Sequence, residues 1–325
     1  MMTARRIAAL LGTSTLILSG CNSGKHGKFT SEGKAQAQER MSSLKSGTEW
    51  NMAHQQFLAG EVDKALKNVD KSIALNPTVP KSHVLRGRCL IEKGRLEEAR
   101  TEFLEAEKLE ASNVEAQYYL GIVHEQFSQP AEALTRYQRA ADLDTANAQY
   151  VVAAGEMLVQ QGKLDDAEAY LVAHKTNFEY NAALKQLLGH IAMLRNDPRL
   201  AAERFSDALL LAPDDNAILE DLAQAHMGAG NFAEAEFAAT KLLEKDQNKD
   251  RRDLKLMRSK CLMSLNRPVE ARSVLLELTA EKEAGREFQL WVDLGNVSAV
   301  LKDKPHLRQA AQRAVALSPD RHEGY

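Results

Sequence analysis

The chain repeats itself every 34 residues, and this period restricts its fold more than any other feature of the sequence. Alanine recurs six times in succession at this interval: Ala65, Ala99, Ala133, Ala167, Ala201 and Ala235. A small residue stands twelve positions before each alanine, and a turn-forming residue stands five positions before it: Gly60, Gly94, Ser128, Gly162, Asn196 and Gly230. Columns that stay in phase over six periods predict a stack of equivalent units, none of which can bury its apolar face alone.

Each unit is predicted to be a pair of helices. The 325 residues include only 18 glycines and 8 prolines, aromatic residues make up 6%, and Ala, Leu, Glu and Lys are abundant. Such a composition favours helix over strand. We expect the small residue of the first helix, such as Gly121, to pack against the alanine of the second, such as Ala133, because helix axes that approach to about 8–10 Å need small side chains at the crossing.

The motifs within the period resemble those of the tetratricopeptide repeat. The third period contains Leu120-Gly121 followed by Ala133, Tyr137 and Ala140, and the last contains Trp291, Leu294, Gly295 and Pro319. The resemblance implies an all-α fold, an α-solenoid superhelix of about eight helix-turn-helix repeats. The repeats cover residues 46–321 as 46–79, 80–113, 114–147, 148–181, 182–215, 216–249, 252–285 and 288–321, followed by a short tail at 322–325.

The first 45 residues differ from the repeats and are predicted to direct and anchor the chain. Arg5 and Arg6 precede an uncharged run at 7–18, which is too short to span a membrane but suits a signal peptide over 1–20. The run ends in Leu18-Ser19-Gly20-Cys21, which resembles the lipobox of bacterial lipoproteins. This resemblance implies palmitate and further acyl chains on Cys21. The polar residues 21–45 are expected to form a flexible tether.

The lipobox also implies a location. Asn22 resembles the sorting signal of lipoproteins that reach the outer membrane, so we expect a lipid-anchored protein of the bacterial cell envelope that faces the periplasm. An ordinary signal peptide followed by a chance cysteine is the alternative interpretation.

The sequence offers little for catalysis, metal binding or nucleic acid. No H-E-x-x-H, paired C-x-x-C or G-x-S-x-G motif occurs, so we expect no enzyme activity, no metal site and no cofactor. The formal charge of −3 removes the electrostatic argument for a nucleic-acid partner. Cys89 and Cys261 lie at equivalent positions five repeats apart, too far to pair within one chain, and are expected to be small buried residues.

The resemblance implies a concave groove lined by the first helix of each repeat, at positions 2, 5, 6, 9, 12 and 13. The candidate groove residues are Trp50, His54, Lys81, Arg88, Tyr118, Tyr119, Gln149, Glu156 and His190. Tyr118 and Tyr119 are separated by about 100° on one helix, so at least one of them is expected to face the groove. The alternative is that Trp50 and one of the tyrosines fill the core.

These features together predict a protein–protein interaction scaffold. The resemblance to envelope lipoproteins with the same repeat implies a role in assembling a secretion, pilus or exopolysaccharide-export machine, with a protein or peptide in the groove. A regulatory adaptor that docks cell-wall enzymes is the alternative. The last helix carries Leu307, Ala311 and Val315 with no capping helix after it in the sequence. We therefore expect a second copy or a partner to cover it, as in a homodimer, or this end to be frayed.

Overall fold

A computed structural model describes residues 28–174, 178–281 and 286–321. All regular elements of these residues are helices, as predicted, and no strand occurs among them. The described residues divide into two compact units, one before and one after the boundary between Thr78 and Val79. No helix within the described residues has both the length and the apolar character that a membrane-spanning segment requires.

The first unit is a pair of helices, α1 (Lys28–Leu58) and α2 (Val62–Leu75). A buried serine pair joins them: the Ser72 hydroxyl donates to the Ser46 carbonyl oxygen at 2.9 Å, and the Ser46 hydroxyl donates to the Ser72 carbonyl oxygen at 2.9 Å. Ala53, Ala65 and Val69 are fully buried. The pair thus buries one face of each helix.

The predicted flexible tether is wrong for residues 28–45, which form the first half of α1. The physical reason is that helix nucleation is costly whereas extension is not. Residues 46–58 are held against α2, and the preceding residues contain no proline and several strong helix formers, so the helix continues backwards although these residues are almost all exposed. Cys21 and the signal peptide lie outside the described residues.

The second unit is an α-solenoid of seven helix pairs. Its helices are α3 (Pro80–Glu92), α4 (Leu96–Leu109), α5 (Val114–Gln126), α6 (Pro130–Leu143), α7 (Ala148–Gln160), α8 (Leu164–His174), α9 (Ala182–Leu194), α10 (Pro198–Leu211), α11 (Asn216–Ala229), α12 (Phe232–Leu243), α13 (Arg252–Ser264), α14 (Pro268–Ala280), α15 (Phe288–Val300) and α16 (Lys304–Leu317). Each first helix of this unit begins at the first residue of a predicted repeat. A short 3-10 turn at Asp246–Asn248 occupies the longer connection before α13.

The turn between the two helices of each pair depends on one residue in the left-handed backbone region. The column identified in the sequence adopts positive φ throughout, from 57° at Ser128 to 80° at Gly230. Asn266 and Lys302 continue the column in the last two repeats with φ of 55° and 56°. The register of the turn therefore persists where the sequence no longer provides glycine.

The small residue of the first helix has a different neighbour from the one predicted. A Cβ atom added to Gly121 would lie 2.6 Å from Cδ1 of Tyr137, and one added to Gly87 would lie 2.5 Å from Cε1 of Phe103. In repeats two to five the nearest neighbour is thus the large residue four positions after the alanine of the 34-residue column: Phe103, Tyr137, Leu171 and Phe205. In the last repeat the nearest neighbour of Gly295 is Ala310. In repeats two, three and five an aromatic ring of the second helix lies so close to the glycine of the first helix that a methyl group would occupy the same space.

The last helix packs through its small residues. Ala310 and Ala314 of α16 are buried in a cluster with Trp291 and Leu294 of α15, whereas Leu307 and Leu317 remain more than one third exposed. The cover expected for this end, by a second copy or a partner, stays a prediction.

Candidate functional site: a groove in repeats three to six

A cleft of about 920 Å³ opens between the first helices of repeats three, four and five. We call it the acidic cleft. Its walls are formed by Tyr118 and Glu125 of α5, Gln149 and Glu156 of α7, the ring of Tyr137, and the turn at 178–181 before α9. It therefore brings together three of the candidate groove residues, Tyr118, Gln149 and Glu156.

Tyr118 is the tyrosine that faces this cleft. Its ring centroid lies 5.2 Å from that of Tyr150 and 5.7 Å from that of Tyr137, which fixes the ring between two neighbouring repeats. Its hydroxyl oxygen accepts a hydrogen bond of 2.6 Å from Nε2 of Gln149. Burial, followed by the nearby tyrosines and by Glu125 and Glu156, raises the pKa of Tyr118, so the phenol is neutral and can donate to a ligand.

Tyr119 points away from the cleft, towards repeat two. Its ring stacks on Phe103 with a centroid distance of 5.4 Å, and the guanidinium of Arg88 lies 5.2 Å from the ring centroid. Arg88 and Tyr119 thus form a contact with each other and line neither this cleft nor the next one. Lys81 is exposed and lines neither cleft either. Of the two tyrosines, Tyr118 therefore lines the acidic cleft, whereas Tyr119 packs against Phe103 and Arg88.

Two carboxylates of the acidic cleft are held close to aromatic surface. The Tyr137 hydroxyl donates to Oε2 of Glu125 at 2.8 Å, which orients this carboxylate at the end of α5. Burial first and this hydrogen bond second raise the pKa of Tyr137. Desolvation by the cleft walls, together with the charge of Glu125, raises the pKa of Glu156, and the nearby His190 acts in the opposite direction.

A second cleft of about 470 Å³ adjoins the first, and Glu156 lines both. We call it the apolar cleft. Its walls include Val159 of α7, Leu187, Met193 and Leu194 of α9, and Phe205 of α10. Leu194 exposes 60% of its surface, so its side chain is accessible to a ligand in this cleft.

The polar edge of the apolar cleft contains His190, the fourth candidate residue that reaches the groove. Nε2 of His190 donates to Oδ2 of Asp221 at 2.8 Å, and Nε2 of Gln186 donates to the same oxygen at 2.7 Å. The imidazole also meets the ring of Phe205 edge-on at 5.2 Å. These contacts tie α9 to α11 and hold the edge of the cleft in one arrangement.

The two candidates of repeat one, Trp50 and His54, belong to the other unit. Their rings stack on each other with centroids 5.0 Å apart and planes inclined by 6°. Both side chains are half-buried.

The sequence interpretation missed Glu125, Val159 and Leu194. All three occupy position 12 or 13 of their repeats, which belong to the same set of groove positions that selected the other candidates. Applying that rule at every repeat finds them. The hydrogen bond from the Tyr137 hydroxyl to Glu125 could not be predicted from the sequence. A tyrosine at that position is expected to fill the core whether or not its hydroxyl reaches the groove.

The arrangement suits recognition of a ligand. Hydrogen-bonding groups, aromatic surface and an apolar cavity follow one another along the groove, as in protein sites that bind peptides. Within residues 28–174, 178–281 and 286–321, no group of three or more His, Cys, Asp or Glu side chains could hold a metal ion. Cys89 and Cys261 are buried thiols.

Comparisons with known proteins identify the repeat. A sequence model described as TPR repeat matches residues 87–126, and one described as tetratricopeptide repeat matches 118–182, 187–250 and 221–286, more than half of the chain. No curated protein sequence matches the chain.

Several solved structures share the fold. The structure from a functional characterization of Pseudomonas aeruginosa PilF has a TM-score of 0.52 and 18% identity, over 62% of this chain and 90% of that one. PilW, described as a widely conserved type IV pilus biogenesis factor, gives 0.56 and 16%, over 62% and 93%. A tetratricopeptide repeat protein from Parabacteroides merdae gives 0.54 and 14%, over 78% and 99%. At these identities the likeness extends to the fold alone. Because the sequence models match more than half of its residues, the chain belongs to the tetratricopeptide repeat family.

Proposed function

We propose that this chain is a non-enzymatic scaffold that binds a segment of a partner protein in the groove formed by the acidic and apolar clefts. Tetratricopeptide repeat proteins generally act as scaffolds of this kind. The observation that carries the proposal is the continuity of the two clefts through Glu156, which gives one site with both polar and apolar walls. A segment lying there would contact four consecutive repeats, so its affinity would sum over several modest contacts.

The groove can be tested by photo-crosslinking in cells. A photoreactive amino acid placed at Gln149, in the acidic cleft, is expected to give a discrete adduct with one partner. The matched control is the same amino acid at Lys108, which lies on the second helix of repeat two with its side chain 74% exposed. Adducts from position 108 but none from position 149 would show that the partner binds elsewhere on the chain.

We further propose that the scaffold is anchored through lipidated Cys21 in the bacterial cell envelope, at the outer membrane facing the periplasm. There it would assist assembly of a secretion, pilus or exopolysaccharide-export machine. The support is the lipobox-like sequence, together with the fold shared with PilW, a type IV pilus biogenesis factor. Each buried methylene of an acyl chain contributes about 0.8 kcal/mol to membrane binding, so more than one chain gives a durable anchor.

The anchor and the role have separate tests. Radiolabelled palmitate is expected to enter the wild type but not Cys21→Ser, and the variant is expected to leave the membrane fraction. Equal labelling of the two proteins would exclude the anchor. The identity of the protein crosslinked at position 149 decides the role: a subunit of an envelope machine supports assembly, whereas a cell-wall hydrolase supports the regulatory adaptor instead.

A further inference from the structure

The acidic cleft has an excess of negative charge that nothing in its described walls balances. Glu125, Asp144, Glu156 and Glu179 line it, and no Lys or Arg occurs among the described residues of either cleft. Glu125 and Glu156 lie close enough for the charge of one to raise the pKa of the other. Glu125, Glu156 and Glu179 are exposed and Asp144 is half-buried, so their charges face the open cleft and attract cations at short range.

Glu156 is the carboxylate best placed to meet a ligand. The hydroxyl of Tyr137 already donates a hydrogen bond to Glu125. Glu156 has neither a hydrogen bond nor an ion pair with any described residue. Two repeats further on, Asp221 and Glu220 of α11 accept hydrogen bonds from His190 and Arg251. Of the four carboxylates that line the acidic cleft, Glu125 and Asp144 thus accept hydrogen bonds within the chain, whereas Glu156 and Glu179 accept none from described residues. Glu156 is the one of these two that also lines the apolar cleft.

The neighbouring apolar cleft requires a different kind of side chain. Val159, Leu187, Met193 and Phe205 form an apolar cavity, and Leu194 covers part of its edge while remaining largely exposed. An aliphatic or aromatic side chain that enters this cavity removes apolar surface from water on both partners. An acidic side chain would lose its hydration there and would meet the carboxylates of Glu156 and Asp221, which also line this cleft.

We propose that the groove selects a partner segment that places a Lys or Arg side chain at Glu156 in the acidic cleft and a large apolar side chain in the apolar cleft. This inference rests on the proposed function and specifies its ligand. Neighbouring first helices are about 10 Å apart, and an extended chain advances about 3.3 Å per residue. The basic and the apolar residue of an extended ligand are therefore expected about three positions apart.

The test is selection from a library of random dodecamer peptides displayed on phage, with the full chain immobilised. Peptides selected by the wild type are expected to be enriched in Lys or Arg with a large apolar residue about three positions away. Representative synthetic peptides are expected to lose about tenfold in affinity when the basic residue becomes Gln, because a charge-assisted hydrogen bond is lost. Their affinity is also expected to fall as salt concentration rises.

Variants of the cleft residues test whether the selected peptides bind in the acidic and apolar clefts. Glu125→Gln combined with Glu156→Gln keeps side-chain shape and is expected to abolish the preference for the basic residue while leaving that for the apolar residue. Leu194→Ser is expected to weaken the preference for the apolar residue while leaving the preference for the basic residue. The matched control is Glu97→Gln combined with Glu132→Gln, which removes two exposed carboxylates from second helices and is expected to change neither preference. Circular dichroism verifies that each variant is folded.

Three outcomes would overturn the inference. The first is enrichment of acidic or uncharged peptides, and the second is a basic preference that survives in the Glu125/Glu156 variant. The third is a failure to enrich any peptide above the level of that variant. If the photoreactive residue at position 149 still captures a partner in any of these cases, the groove is a binding site but its ligand chemistry is different. If that crosslink is also absent, the proposed function fails as well.

Discussion

Gly121→Ala tests whether the close packing of Tyr137 on α5 shapes both the fold and the acidic cleft. The added Cβ would lie 2.6 Å from Cδ1 and 2.9 Å from Cζ of a ring that is only 1% exposed. Overpacking of a core costs about 1–3 kcal/mol, and a rigid ring that is almost fully buried corresponds to the upper end. Replacing glycine by alanine within a helix returns about 1 kcal/mol. The expected net loss of stability in repeat three is therefore about 2 kcal/mol.

Hydrogen exchange measures this loss locally, which is necessary because a repeat protein need not unfold in one step. A loss of 2 kcal/mol corresponds to about thirtyfold faster exchange of the α5 and α6 amides. The control is Gly47→Ala in α1, where nothing lies within 4 Å of the added Cβ and a gain of about 1 kcal/mol is expected. Tyr137→Leu in the Gly121→Ala background is expected to recover part of the loss. If Gly121→Ala stabilises the chain as Gly47→Ala does, the close approach of the Tyr137 ring to α5 does not require glycine at position 121.

Two further predictions concern the turns and the response to pH. Lys302→Gly is expected to stabilise the last repeat by about 1 kcal/mol, because φ of 56° is unfavourable for any residue with a Cβ. Slower hydrogen exchange of the α16 amides would confirm this, and an unchanged rate would mean that the backbone strain is absent. Burial alone would raise the pKa of Glu102, but the hydrogen bond from His83 and the charge of Arg86 outweigh it and lower the pKa below 4.5. This carboxylate therefore contributes stability above pH 4.5 that is lost as pH falls through the lowered folded-state pKa. Glu102→Gln is expected to flatten the decline in urea stability between about pH 6 and about pH 3, and an unchanged slope would contradict this reasoning.

The sequence predicts the repeat architecture well because its columns record local geometry. A residue with positive φ is needed at the same place in every turn, so Gly60 and Gly94 mark the period even where Ser128 and Asn196 replace glycine. The helix starts follow from the same count. The identity of the residue facing each small position is less accessible, since Ala133 and Tyr137 both lie on the inner face of α6 and only packing distinguishes them.

The groove is predictable in part, for a related reason. Tyr118 and Tyr119 have identical side chains at adjacent positions, and the sequence places at least one of them in the groove without saying which. The stacking of Tyr119 on Phe103 and Arg88 decides it. The helical state of residues 28–45 was missed because a polar, exposed sequence resembles a linker. Its helix depends on being continuous with residues that pack against α2.

The side-chain bonds between repeats join residues about one period apart. Gln149 bonds to Tyr118 across 31 positions, Arg251 to Glu220 across 31, and Arg195 to Asp165 across 30. Interactions of such limited range make the stability of each layer depend on its immediate neighbours rather than on the whole chain. Duplication or loss of one 34-residue stretch in the gene would then insert or remove a layer while the remaining layers kept their contacts. A protein built in this way can change the length of its binding surface in evolution without having to find a new fold.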